Sequence, residues 1–276
     1  MPKNEALQPA GISAFWKPIL FMLVFTGLLF LCGNARSLFS PAYSFLAYGI
    51  LGSLAGLVTA RFFQRNKQPS FASMGLSWEK KTLFRFVLGS LIGVVIFAII
   101  LFVLLQFSEL TIRYQPQSSP ADYMFLYLPI LPLALMEEIG FRSYPQQKLY
   151  QAYGPWISQL VIAVAFGLYH VLNGWSLLSS FAGPFVWAFV FGLAAIWSRG
   201  IAVPTGIHFT LNMLQTITGM KGSKGAVWIL DYPPGTNPVL LERTDKIGLM
   251  IQVAVLITAL LATYWYVRKK RERSIK

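Results

Sequence analysis

The sequence is poor in charge and in the residue types that usually carry soluble enzyme chemistry. Only 12% of its 276 residues are charged and just ten are acidic, against 55% hydrophobic, a balance outside the habit of soluble domains. One cysteine, Cys32, excludes an intrachain disulfide framework. No HExxH spacing occurs, so the usual helical zinc signature is missing. No internal repeat marks the inverted halves common in transporters. Ser143, Ser179 and Cys32 offer a hydroxyl or thiol, but none stands at helical spacing from a histidine, which leaves a serine or cysteine nucleophile without a base.

What the sequence does have is long apolar runs, and a mean hydropathy of +0.57. Measured against a span of ~20 residues, eight runs qualify: about 16–33, 39–60, 83–107, 122–149, 155–175, 177–197, 201–219 and 246–267. The expected fold is an all-α membrane protein, a polytopic bundle of about eight transmembrane helices in a single integral membrane domain over 1–276. The first run follows a weakly basic leader without a clear small-residue cleavage site, and reads as a retained anchor.

The net charge of +13 is concentrated beside the spans, in RFFQRNK (61–67), Glu79-Lys80-Lys81 and RKKRER (268–273). Placing both termini in the cytoplasm leaves six of the 23 Lys and Arg outside, four of them between the last two spans. This orients the chain as a multi-pass protein of the cell membrane. The basic tail abuts a span and lacks interleaved aromatics, which fits anionic lipid headgroups and not nucleic acid.

Between the spans, segment 61–82, with Pro69 and a turn-like Gly75 to Trp78 patch, reads as a cytoplasmic linker. Segment 220–245, with Pro233-Pro234-Gly235, reads as an irregular loop. Pro129 and Pro132 predict a kinked fourth span, and Gly183-Pro184 and Pro204 predict bends in the sixth and seventh.

The fourth run contains LALMEEIGFRSY (133–144). Charged groups at such depth cost roughly 2.5 kcal/mol or more each on insertion scales, so they persist for pairing or for chemistry. On a helix Glu138 and Arg142 share a face and form an ion pair, while Glu137 points about 100° away with no sequence-local partner. An unpaired buried carboxylate suits a general acid or base near neutral pH. Both histidines also fall within spans. With Glu137 near the middle of a 122–150 helix and 1.5 Å rise per residue, Glu137, His170, His208 and Asn212 come within roughly 8 Å of one plane. His208 and Asn212 are four apart, so one face presents an imidazole and a carboxamide, both able to donate to an oxyanion. These parts suggest amide hydrolysis in which Glu137 and His170 deprotonate a water. Zinc held by His170, His208 and a glutamate would also meet the ligand count, although the spacing does not favour it.

EEIGFR, FGLYH and HFTLN stand in the order and form of EExxxR, FxxxH and HxxxN. In this the chain resembles the CPBP intramembrane glutamic endopeptidases, which include the type II CAAX prenyl endopeptidases and bacterial bacteriocin-processing or immunity relatives. The likeness covers about 120–215, which would be the catalytic core. It implies that Glu137 and His170 activate water, that His208 and Asn212 form the oxyanion hole, that Glu138 and Arg142 support the site, and that no metal or cofactor is needed. It also implies a peptide or protein substrate, prenylated or bacteriocin-like. Ser143 stands where many relatives have Gly, a departure expected to affect helix packing more than chemistry. Two other readings use the same residues: a proton-coupled transporter, disfavoured by the missing repeat, and a non-catalytic interaction or immunity protein that keeps them as an ion-pair network.

Overall fold

The computed structural model describes residues 11–64, 71–116 and 119–275. Pro69 and the Arg65 to Lys67 part of the first basic cluster lie outside the described residues. Among the described residues ten α-helices follow one another: α1 (Ile12–Ala35), α2 (Ser44–Phe63), α3 (Thr82–Phe107), α4 (Pro120–Tyr127), α5 (Ile130–Arg142), α6 (Tyr144–Leu172), α7 (Leu177–Ala182), α8 (Pro184–Ser198), α9 (Ala202–Ile217) and α10 (Pro238–Ile275). Two short strands, β1 (Thr111–Tyr114) and β2 (Trp228–Asp231), pair antiparallel with Thr111 opposite Asp231.

The chain is a helical, multi-pass membrane protein, with six rather than eight stretches among the described residues long and apolar enough to cross a bilayer. The difference has two sources. The runs at 122–149 and 155–175 coalesce into one stretch, Asp122–Leu172. It is broken near Pro129 and at Ser143, which leaves α5 only 13 residues long. Inside α6, Gly154 adopts φ 77° ahead of Pro155 and kinks the helix, because glycine alone enters that region without a steric penalty. The 201–219 run becomes α9, whose 16 residues fall short of the ~20 a span requires.

The proline expectations divide in the same way. The chain does break at Gly183, between α7 and α8. Pro204 produces no break, because it lies in the first turn of α9, where its missing N–H costs no hydrogen bond. The 220–245 segment is not wholly irregular, since it contains β2 and the start of α10. The 61–82 segment is more than a linker: Met74 is fully buried, and the Gly75 carbonyl accepts from the Ile201 N–H at 3.2 Å. Gly75, at φ 70°, lies so close to Gly200 that a Cβ would strike the latter's Cα.

Lipid tails are as apolar as leucine, so close packing, more than hydrophobic contrast, draws helices together in a membrane. Glycines make that possible here. Gly49, Gly52 and Gly56 of α2 face α5, where added methyl groups would press on Pro132, Met136 and Ile139. On the other side, Gly89 of α3 sits against the Val203 carbonyl and Gly206 of α9 against the Phe86 carbonyl, with no room for a Cβ at either. The helices that carry Glu137 and His208 are thus each pressed onto an outer helix. Between them lies an aromatic core in which Phe25 of α1 meets Phe141 edge-on and Phe141 meets Phe166 edge-on. By contrast α10 is peripheral, with 11% of its apolar window buried.

Candidate active site

The two adjacent glutamates of α5 have different surroundings. Glu138 is fully buried, with 0% of its side chain exposed, whereas Glu137 is 16% exposed. One turn on, Arg142 is also fully buried and places Nε 3.5 Å from Glu138 Oε2. Its guanidinium lies 4.2 Å from the Phe166 ring centroid, 5.4 Å from Phe191 and 5.8 Å from Phe141. The guanidinium nitrogens make no hydrogen bond among the described residues, so the carboxylate charge and three ring faces hold them.

The expected ion pair is therefore present, but it has a third member. His208 Nδ1 lies 2.8 Å from Glu138 Oε1 and, since a carboxylate only accepts, Nδ1 donates. The same ring turns Nε2 toward Glu137 Oε2 at 3.7 Å and stacks on Phe191 at 4.6 Å with an interplanar angle of 13°. Two points follow. Glu137 has no sequence-local partner, and what it faces is a residue 71 positions away. His208 is not free to present either nitrogen, because Glu138 takes Nδ1; Nε2 can donate only when both ring nitrogens carry protons.

His170 lies in the last turn of α6, not near mid-span, and Glu137 lies in the second half of the short α5, so the helix assumed in the depth estimate is not there. The ring of His170 is nevertheless brought to the same place. It contacts Phe166 at 4.7 Å, Tyr169 at 5.2 Å and Trp175 at 5.3 Å, and Phe166 also touches His208. Its Nδ1 is 2.8 Å from the Phe166 carbonyl oxygen. A carbonyl cannot donate, so Nδ1 carries the proton and Nε2 of the neutral ring is the basic nitrogen. Glu137 is within electrostatic reach of His170, Arg142, Tyr48 and Tyr169.

Asn212 is half-buried one turn beyond His208. Its Oδ1 accepts from Lys221 Nζ at 2.6 Å, a contact with no counterpart in the sequence expectations. Phe191 and Trp175 were also missed, since aromatic residues are too common in spans to stand out, and Phe166, the first residue of FGLYH, was given no role of its own. Ser143, buried where α5 breaks from α6, donates to the Ile139 carbonyl and does not reach the cluster. Among the described residues no three His, Cys, Asp or Glu side chains form a set suited to a metal ion.

Residues 118–214 match the family described as Rce1-like: Type II CAAX prenyl endopeptidase Rce1-like. Among curated proteins none matches the chain. The matched segment contains all three motifs and every residue from Glu137 to Asn212 placed above, so it is over the part of the chain that holds the site that this protein is similar to the Rce1-like CAAX proteases.

Proposed function

We propose that the protein is an intramembrane endopeptidase that hydrolyses a peptide bond in a membrane-associated substrate, with 120–215 as its catalytic core. The observation that carries this reading is the division of labour between the glutamates: Glu138 is spent on Arg142 and His208, while Glu137 stays partly open beside His208 Nε2. Glu137 and His170 Nε2 hold a water and take its proton as its oxygen attacks the scissile carbonyl carbon. Asn212 Nδ2 and doubly protonated His208 donate to the oxyanion. When the C–N bond breaks, the abstracted proton passes to the leaving amine, giving a carboxylate and an amine. Glu138 and Arg142 keep the His208 ring in place.

In this reading the reaction needs no metal, the protein lies in the cell membrane with both termini cytoplasmic, and the family name makes a prenylated C-terminal peptide the first substrate to try. The test is cleavage of a quenched fluorogenic peptide with a farnesylated CAAX end by protein reconstituted in liposomes, beside the same peptide tethered by an acyl chain. Glu137→Gln should abolish cleavage; wild-type rates in that variant reject the assignment. Activity should survive EDTA and phenanthroline with no zinc found by elemental analysis, whereas loss that zinc restores would replace the metal-free step. A second reading, a non-catalytic membrane interaction protein, draws support from the complete burial of Glu138 and Arg142. It prevails if Glu137→Ala and His208→Ala both complement a deletion strain fully.

A further inference from the structure

After α9 ends the chain turns back on itself and is fastened against the end of that helix and against α4. Gly219 and Gly222 take positive φ of 72° and 101°, which allows the tight reversal. The returning strand is tied to the end of α9 by Val227 N–H to the Ile217 carbonyl at 2.9 Å and Leu230 N–H to the Thr218 carbonyl at 3.2 Å. From α4, Tyr127 donates to the Gly225 carbonyl at 2.7 Å and Tyr123 to the Ala226 carbonyl at 3.1 Å. The β1–β2 pairing fixes the far end. Lys221 is carried on this clamped loop, and it is this residue that reaches back to Asn212.

A lysine ammonium has three donors and no acceptor. Whatever faces it at 2.6 Å must accept, so the Asn212 carboxamide is held with Oδ1 toward Lys221 and Nδ2 directed elsewhere. We infer that Lys221 is a positioning residue: it fixes the Asn212 carboxamide with Nδ2 free to donate to the oxyanion, and it adds a positive charge on the Glu137 side of the site. This inference rests on the protease reading. Lys221 is exposed, and desolvation by neighbouring protein brings its pKa down to about 8, opposed by the carboxylate of Glu137 on α5. The charged, positioning form therefore prevails below about pH 8 and is lost as pH rises through it.

The experiment uses the same liposomes and farnesylated peptide with wild type, Lys221→Met, Lys221→Arg and Glu137→Gln. With Glu137→Gln inactive, Lys221→Met should lower kcat roughly 10- to 100-fold, the scale of a weakened oxyanion donor, with KM little changed. Lys221→Arg should recover much of kcat and lack the decline near pH 8, because a guanidinium stays charged there. Wild-type kcat and an unchanged alkaline decline in Lys221→Met overturn the inference and leave the protease reading standing. Undiminished cleavage by Glu137→Gln overturns the reading itself. Competitive acetylation of Lys221 against pH reports on the contact apart from turnover: labelling should titrate near 8 and rise in Asn212→Ala, and an ordinary lysine curve unaffected by Asn212→Ala counts against the inference.

Discussion

The closed half of the site, around Glu138 and Arg142, and the open half, around Glu137, Asn212 and Lys221, use the same chemical groups to opposite ends. In the closed half a carboxylate and a guanidinium are wholly removed from solvent and wedged among Phe141, Phe166 and Phe191. Such a pair is costly to form and costly to break singly. In the open half the carboxylate keeps some exposure and faces an imidazole at 3.7 Å, beyond direct hydrogen bonding. That spacing leaves the group available to something else. The lesson is that burial, more than residue type, separates a scaffold charge from a working one.

The largest effect expected from breaking this contrast is on rate. Glu137→Gln should reduce peptide cleavage by ~10³-fold or more, equivalent to about 4 kcal/mol, with the unfolding midpoint unchanged in a detergent melt. Arg142→Met should act mainly on stability, because it leaves His208 as the one partner offsetting the buried Glu138 carboxylate, at a cost of about 3–5 kcal/mol, read as a large drop in melting temperature with or without substrate. Gly206→Ala sharpens the comparison by moving the whole His208 helix. Its Cβ meets the Phe86 carbonyl, and overpacking of this kind costs about 1–3 kcal/mol, with activity falling further than stability alone accounts for. The smallest effect belongs to the periphery: a Cβ at Gly248 of α10 meets nothing within 4 Å, so Gly248→Ala should stabilise by about 0.5–1 kcal/mol and leave cleavage unaltered.

How much of this could be read beforehand depended on distance along the chain. Period and composition reveal α1, α2 and α3 within a few residues, because each is an uninterrupted apolar run bounded by polar residues. They overcount the middle of the chain, where Pro129, Ser143 and Gly154 divide one apolar stretch into pieces too short or too bent to be separate spans. Helical spacing discloses Glu138 with Arg142, and His208 with Asn212, since four residues make one turn. It cannot disclose that His208 Nδ1 belongs to Glu138, 70 positions away, because that follows from how α5 and α9 pack. Lys221 was visible only as one of several loop cations. The glycines at 219 and 222 hinted at a reversal, but not at what the reversal would deliver.

The glycine seams have a mechanical corollary. Because α5 rides on α2 and α9 rides on α3 with no space for even a methyl group, neither inner helix has slack of its own. A shift of α2 relative to α3 must widen or narrow the distance between Glu137 and His208. The outer wall formed by α2 and α3 thereby acts as the gauge block that sets its aperture.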